Sequence, residues 1–589
     1  MEITRVFDLL PYYEEKFKPK DDVLAGKVNG VWKKYSIKEF REIVDALSYA
    51  FLKLGVERND NIATVTNNRP EWNFVDMAVM QVGAVHVPIY PTISISDYEH
   101  ILNHAQIKYL FLSGMAMYKK IEPIIKEMSY LKGVYIFNEE EGLPQWTELL
   151  ELGRANADKE KLDKIKDSIT INDPATLIYT SGTTGVQKGV LLSHLGLITN
   201  FKGVSGTPDF GDGSCALSLL PLCHVYERML NYMYLYLGIA IYYAESIPKF
   251  LDNCKEIRPY MMCCVPRVIE KVYSGILQQG KKLKGFKRKM FFWALDIAEQ
   301  YELYGVNGWW YQLKWKIAYK LVLSKFRDAL GGRFRIVVSG GSALNPKLCR
   351  IFHAAMIPVY EGYGLTETSP VITVSSKPPK GLKIGTVGPP LPGVEVKIAD
   401  NGEILSRGPN IMIGYYRNPE LTKTVIDEEG WFHTGDAGKF DEDGHLIITG
   451  IIKETFKTSG GKWISPQVIE NKLTASNFID CAVVLGENQK MAGALIVPDF
   501  EHLKQWCKQQ NIPYSSNAKI IENKDVENLI KTEVQEVNKT LGKTEQIGPI
   551  QLIDDEWTVA GGELSATLKV KRKIIAERYA DQISQMFQQ

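Results

Sequence analysis

Residues Tyr179 to Gly189 read YTSGTTGVQKG and lie between two apolar runs, TLI before them and VLLS after. These eleven positions hold five hydroxyl side chains, three glycines and one lysine. That mixture suits a polyphosphate. Gly182, Gly185 and Gly189 let backbone amides approach phosphate oxygens, Thr180, Ser181, Thr183 and Thr184 add hydroxyl donors, and Lys188 adds positive charge. A hydroxyl such as that of Thr180 can also meet a magnesium ion bridging to phosphate. The spacing is not that of the usual G-x-x-x-x-G-K-[ST] nucleotide loop, because Gln187 stands at the second glycine and Gly189 follows the lysine. A kinase-type or motor-type loop is therefore disfavoured, and in isolation a simple Gly/Thr turn has the same composition.

Outward from the loop, NIATVT (61–66), AVHVPIY (84–90) and IKYLFLS (107–113) are short β-rich runs separated by helical stretches. That alternation predicts an α/β body with a mainly parallel sheet covered by helices. One helix is announced by Ser36 as N-cap and Glu39 three residues later, with Phe40, Val44, Leu47, Phe51 and Leu54 at helical spacing before Gly55. VEVKIADNGEILSRG (394–408) and GKFDEDGHLIITG (438–450) place polar turns between apolar alternations and predict hairpins. Beyond them, CAVVLG and ALIVPD alternate with charged helices in a stretch long enough for a small separate domain. The expected organisation is a body at 1–450 with an insertion near 281–330, a boundary at 451–453, and a small α+β lid at 454–589.

Whole-chain properties exclude several classes. The chain has 589 residues, 45% hydrophobic and 24% charged, with a net charge of +1, so no global attraction to nucleic acid is expected. Its eight cysteines, at 215, 223, 254, 263, 264, 349, 481 and 507, form no C-x-x-C pair, so neither a zinc site nor a disulfide framework is expected. The start, MEITRVFDLL, does not read as a secretion signal, and Met229 to Ala244 is too short to span a bilayer. A cytoplasmic location follows as the expectation, with peripheral membrane contact as an option.

Other segments turn the loop into a resemblance. LPLCHVYER (220–228), RIVVSGGSALNP (335–346), YEGYGLTETSP (360–370), GWFHTGDAG (430–438), GIIKETFKTSGGKWISPQVIE (450–470) and GELSATLKVKRKII (562–575) follow in order. With the loop, they resemble the motifs of the adenylate-forming superfamily, which includes acyl-CoA synthetases, aryl-CoA ligases, luciferases and peptide-synthetase adenylation domains. The resemblance runs from Ser36 to Lys569 and implies a β-barrel-like subdomain in the body and a mobile lid. It implies ATP, Mg2+ and coenzyme A as cofactor and cosubstrates. It places Tyr363 on adenine, with Glu361, Gly362, Gly364, Ser339, Gly340 and Gly341 around it. Thr366 would meet phosphate, Thr180 and Glu367 would hold magnesium, and Asp436 would accept hydrogen bonds from both ribose hydroxyls. His224 would lie near the phosphates and the acyl carboxylate. Lys453 would be the hinge, Gly460 and Gly461 the loop used in thioester formation, and Lys569 the catalytic lysine, with Lys571 and Arg572 solvated.

Three departures stand out: Ile451 where the family has an arginine reaching the ribose, Gln187 in place of proline, and Ser565-Ala566 in place of Thr-Pro. Loss of a charge-assisted bond at 451 would cost about 1.5 to 3 kcal/mol of nucleotide or transition-state binding. Ile451 keeps a non-catalytic nucleotide-binding relative as an alternative. A carrier protein instead of coenzyme A is the alternative acceptor. VPRVIEKVY (265–273) and the insertion after it look like the long-chain branch, which implies a fatty acid substrate. Met229 to Tyr243 can line an acyl tunnel or fill the core. In the insertion, six of the nine residues of KKLKGFKRK are basic, and Trp310, Leu313, Ile317 and Leu321 recur at helical spacing. This stripe either meets anionic lipid or packs on the parent domain. A homodimer is also compatible with the sequence.

Overall fold

The computed structural model describes residues 1–589 except 182–186, 207–213, 377–380, 460–462, 544, 559–560, 566–569 and 589, and omits the side chains of Ser181 and Lys453. Two large sheets organise the first 415 residues. One has seven strands in the order Gly414–Tyr415, Gln187–Ser193, Pro174–Ser181, Val85–Ile89, Asn61–Val65, Tyr109–Leu112, Gly133–Ile136. Its last five strands run parallel, and the hairpin that contains the glycine-rich loop adds the antiparallel edge. The other has eight strands, in the order Val371–Val374, Val359–Gly364, Ile336–Ser339, Met261–Cys264, Cys215–Ser218, Ala240–Tyr243, Leu24–Val28, Val31–Tyr35, parallel except at its two ends.

The local causes are visible. Ser36 Oγ accepts from Glu39 N at 3.2 Å and Glu39 Oε2 accepts from Ser36 N at 2.8 Å, closing the expected capping box of helix Ile37–Lys53. Phe40, Val44, Leu47 and Phe51 are buried, and Gly55 takes a φ of +74° just past the end. Strands Asn61–Val65 and Val85–Ile89 are buried at every position, as parallel strands covered on both faces must be.

Helix Pro70–Gln81 is likewise buried all round, including Asp76. This carboxylate is neutralised inside the core: Arg228 and His86 contact its Oδ1, His86 Nδ1 at 2.7 Å, and Tyr232 donates to its Oδ2 at 2.6 Å. Arg228 also donates to Thr176 Oγ1, and His86 Nε2 lies 2.9 Å from Thr64 Oγ1. Burial alone would raise the Asp76 carboxyl, but Arg228, His86 and Tyr232 together hold it below the usual carboxylate range.

The two expected hairpins are present, Glu395–Ile398 with Glu403–Arg407 and Phe432–Phe440 with Leu446–Ile451, turning at Gly402 and Gly444 with φ near +80°. Near the C-terminus, Ile479–Leu485, Ala492–Pro498 and Ile547–Leu552 form a three-stranded sheet flanked by helices. The chain divides into two compact units, one of 1–397, 405–434 and 440–446, the other of 398–404, 435–439 and 447–589. No described helix is long and apolar enough to cross a membrane. Met229 to Tyr243 forms a helix end and a strand, and Met229, Tyr232, Tyr234 and Tyr243 are wholly or almost wholly buried.

Candidate nucleotide site

The glycine-rich segment joins two paired strands in the sequence. Strand Pro174–Ser181 pairs with Gln187–Ser193 so that Thr180 stands opposite Lys188 and Tyr179 opposite Gly189. Gly182, Thr183, Thr184 and Gly185 lie outside the described residues, and of Ser181 only the backbone is described. Gly189 is closely packed: a Cβ there would come within 2.8 Å of the Leu177 side chain and 3.3 Å of Tyr179 and Tyr416, so a larger residue would require these side chains to shift. The hairpin base is held by residues that no motif pointed to. His104 Nδ1 lies 2.7 Å from Tyr179 Oη, and His100 Nε2 donates to the Gln187 carbonyl at 3.0 Å.

Lys188 reaches over the ring of Tyr415, its Nζ 5.2 Å from the ring centre. The Tyr415 hydroxyl donates to Glu367 Oε1 at 2.9 Å, and Met412 N donates to the Glu367 carbonyl at 2.8 Å. Burial and then the Glu367 charge push the Tyr415 phenol up, so it stays protonated and acts as the donor. One tyrosine thus joins the cation of the loop to the carboxylate of YGLTE. Tyr415 was missed in the sequence because a Gly-Tyr-Tyr triplet far from the loop carries no signal of its own. Glu367 keeps Oε2 without a partner among the described residues, a hard oxygen of the kind that magnesium takes alongside substrate phosphates. Among the described residues no group of three His, Cys, Asp or Glu is assembled to hold a metal by itself.

The other predicted residues of the first unit cluster by strand pairing. Val359–Gly364, which carries Glu361, Gly362, Tyr363 and Gly364, runs parallel to Ile336–Ser339, with Glu361 opposite Ser339. Tyr363 pairs with Thr373 on the other side, and at Gly364 a Cβ would overlap the Pro370 carbonyl oxygen at 1.8 Å. Gly341 follows with φ +82°, and Gly340 lies against the ring of Tyr226. Glu361 is buried, and burial pushes its carboxyl up to about 7. It is therefore a protonated or half-protonated group near neutral pH, suited to donate as well as accept. Thr366 is nearly buried at the start of the turn Thr366–Thr368.

His224 caps helix Val225–Tyr236, its Nδ1 accepting from Tyr226 N at 3.2 Å. The neutral ring therefore carries its proton on Nε2. Asp436 is half-buried on strand Phe432–Phe440 and belongs to the second unit, as does Lys453, in the turn Ile452–Glu454. Gly460, Gly461 and Lys569 lie outside the described residues. One expectation is corrected. Arg572 is not solvated: it donates to Glu470 Oε1 at 2.6 Å and Oε2 at 3.0 Å, to Glu454 Oε2 at 3.2 Å and to the Val484 carbonyl at 3.0 Å. Two carboxylates facing one point need a guanidinium there, and the sequence does not show that Glu454 and Glu470 converge.

Residues 15–416 match the family described as AMP-binding enzyme, and residues 454–589 match the AMP-binding enzyme C-terminal domain. The chain belongs to the AMP-binding, adenylate-forming enzymes. This AMP-binding enzyme is 34% identical to long-chain-fatty-acid–CoA ligase FadD15 of Mycobacterium bovis, over 98% of this chain and 96% of that protein. It is 31% identical to the peroxisomal long chain acyl-CoA synthetase 6 of Arabidopsis thaliana, over 92% of this chain and 80% of that one. Both relatives place it in the acyl-CoA synthetase branch. Its fold is that of the anthranilate CoA ligase AuaEII, with a TM-score of 0.73 at 17% identity over 98% of each chain. The α/β expectation with a small C-terminal domain holds.

Proposed function

We propose that this AMP-binding enzyme joins a long-chain fatty acid to coenzyme A at the expense of ATP, through an acyl adenylate, releasing AMP and pyrophosphate. The observation that carries this reading is the meeting of Lys188 and Glu367 on Tyr415, with Thr180 opposite Lys188. Near-full-length similarity to long-chain-fatty-acid–CoA ligases supports the substrate class.

In this reading Glu367 and Thr180 hold magnesium, which, when bound, withdraws charge from the phosphates. Lys188 neutralises phosphate oxygens, Thr366 donates to them, Tyr363 stacks on adenine and Asp436 accepts from the ribose hydroxyls. A carboxylate oxygen attacks the α-phosphorus and pyrophosphate leaves. His224 donates from Nε2 to developing negative charge, and Lys569, delivered by a lid at 454–589 that turns at Lys453, supplies a cation at that moment. Withdrawal of Lys569 then lets the thiol sulfur attack the acyl carbonyl, and AMP leaves.

The test is mass spectrometry of products formed from ATP, magnesium and coenzyme A with acids ranging from acetate to oleate. Acyl-CoA, AMP and pyrophosphate from the longer acids are expected. ADP as product, or a thioester with acetate alone, would sink the reading, and acylation of a carrier protein in preference to coenzyme A would replace the acceptor.

A further inference from the structure

Helix Gly308–Ala318 and the turns that prolong it to Ala329 carry two apolar stripes. Tyr311, Trp315, Ala318 and Val322 pack on the body: Ala318 and Val322 are buried, Tyr311 Oη donates to the Ile297 carbonyl at 2.6 Å, and Trp315 Nε1 donates to the Ala354 carbonyl at 2.9 Å. Trp310, Leu313, Ile317 and Leu321 occupy a different face at three- and four-residue spacing, and with Trp309 they are between 40 and 69% exposed. Trp309 stacks on Trp310 with ring centres 4.3 Å apart, and Val306 in the preceding turn is 76% exposed. Single exposed apolar residues are ordinary, whereas a contiguous row of this size marks an interaction surface.

The charge around the row identifies the partner. Lys314, Lys316 and Lys320 are exposed and interleave with it. Helix Gly285–Glu299, which packs against it, is entered through the exposed run Lys281–Lys289, where Phe286 is 78% exposed among six basic residues. Residues 281–330 hold eleven Lys or Arg against four Asp or Glu, in a chain whose net charge is +1. Two of those acids, Glu299 and Glu302, are already paired with Lys347 and Arg350 at 2.8 Å.

We propose that this face docks on an anionic lipid bilayer, its indole and aliphatic side chains entering the headgroup boundary while the lysines meet lipid phosphates. A bilayer satisfies both halves of the surface, because it offers negative charge outside and hydrocarbon beneath. A nucleic acid would leave Leu313, Ile317 and Leu321 without an apolar partner, and a second copy of the chain would set one basic patch against another.

The experiment is co-sedimentation of the full chain with vesicles of phosphatidylcholine alone, and with vesicles of phosphatidylcholine and phosphatidylglycerol in equal amounts. Wild type binds the mixed vesicles, does not bind the neutral ones, and is released by salt. The W309A/W310A variant binds about tenfold more weakly or worse, and K287Q/R288Q/K289Q about a hundredfold more weakly. Because all five positions are solvent-facing, both variants keep the wild-type melting temperature. Absence of wild-type binding to the mixed vesicles, or W309A/W310A binding as wild type does, overturns the proposal. So does a wild-type dimer in sedimentation velocity that W309A/W310A dissolves, since the face would then belong to a second copy. No readout is catalytic, so this result and the ligase reading stand or fall separately.

Discussion

Tyr415 receives Lys188 on its ring and gives its hydroxyl to Glu367, so one side chain spaces a cation from a carboxylate. Tyr415→Phe keeps the ring and removes the bond to a charged acceptor, an interaction of about 1.5 to 3 kcal/mol. Calorimetric titration should show MgATP affinity about tenfold weaker or worse, with the melting temperature nearly unchanged. Unaltered affinity would remove Tyr415 from the site. Ile451 presents the opposite case, a residue whose role is defined by what it lacks. Ile451→Arg restores a guanidinium and should tighten ATP binding or raise the adenylation rate by about tenfold, measured by fatty-acid-dependent pyrophosphate release. An unchanged rate and affinity would mean that another residue already makes the ribose contact.

At the scale of elements, helix Val225–Tyr236 carries His224 at its cap and Arg228 one turn in, and Arg228 ties it through Asp76 and Thr176 to helix Pro70–Gln81 and to strand Pro174–Ser181. The same strand leads towards the glycine-rich segment, so the buried network ties His224's helix to the strand that carries Thr180. Arg228→Leu leaves the Asp76 carboxylate with His86 and Tyr232 but without its guanidinium, and should cost about 3 to 5 kcal/mol in urea unfolding. Adding Asp76→Leu should recover part of that loss, and a double variant as unstable as the sum of the two singles would argue against coupling. Glu227, on the same helix, is fully buried, and burial pushes its carboxyl up from 4.5 to about 8. The folded protein then holds this proton more tightly than the unfolded chain. Its contribution to stability is complete below about pH 4.5 and is lost as pH rises through about 8. Glu227→Gln should therefore gain on wild type across that window, by at most about 1.4 kcal/mol per pH unit. A constant difference between the two urea midpoints would show that Glu227 does not keep its proton.

For the whole molecule, the proposed division of labour between body and lid predicts separable half-reactions. Lys569→Ala should slow acyl adenylate formation about 10²- to 10³-fold while leaving thioester formation from supplied acyl adenylate within about threefold of wild type. Equal loss in both assays would reject the lid reading. How much of this was legible in the sequence follows from where each property resides. Capping at Ser36, the hairpin turns at Gly402 and Gly444, the parallel α/β body and the ordered motifs are short-range patterns, so the chain's own order determined fold class, family and most candidate residues. Tertiary structure alone decided that Tyr415 stands between Lys188 and Glu367, that Asp76 meets Arg228, that Arg572 is clasped by Glu454 and Glu470, and which stripe of Gly308–Leu321 faces solvent. Each of these is a long-range pairing or a choice between two equally apolar faces. Periodicity shows that a helix has an apolar stripe, but only packing against Ile297 and Ala354 determines which of two stripes is buried.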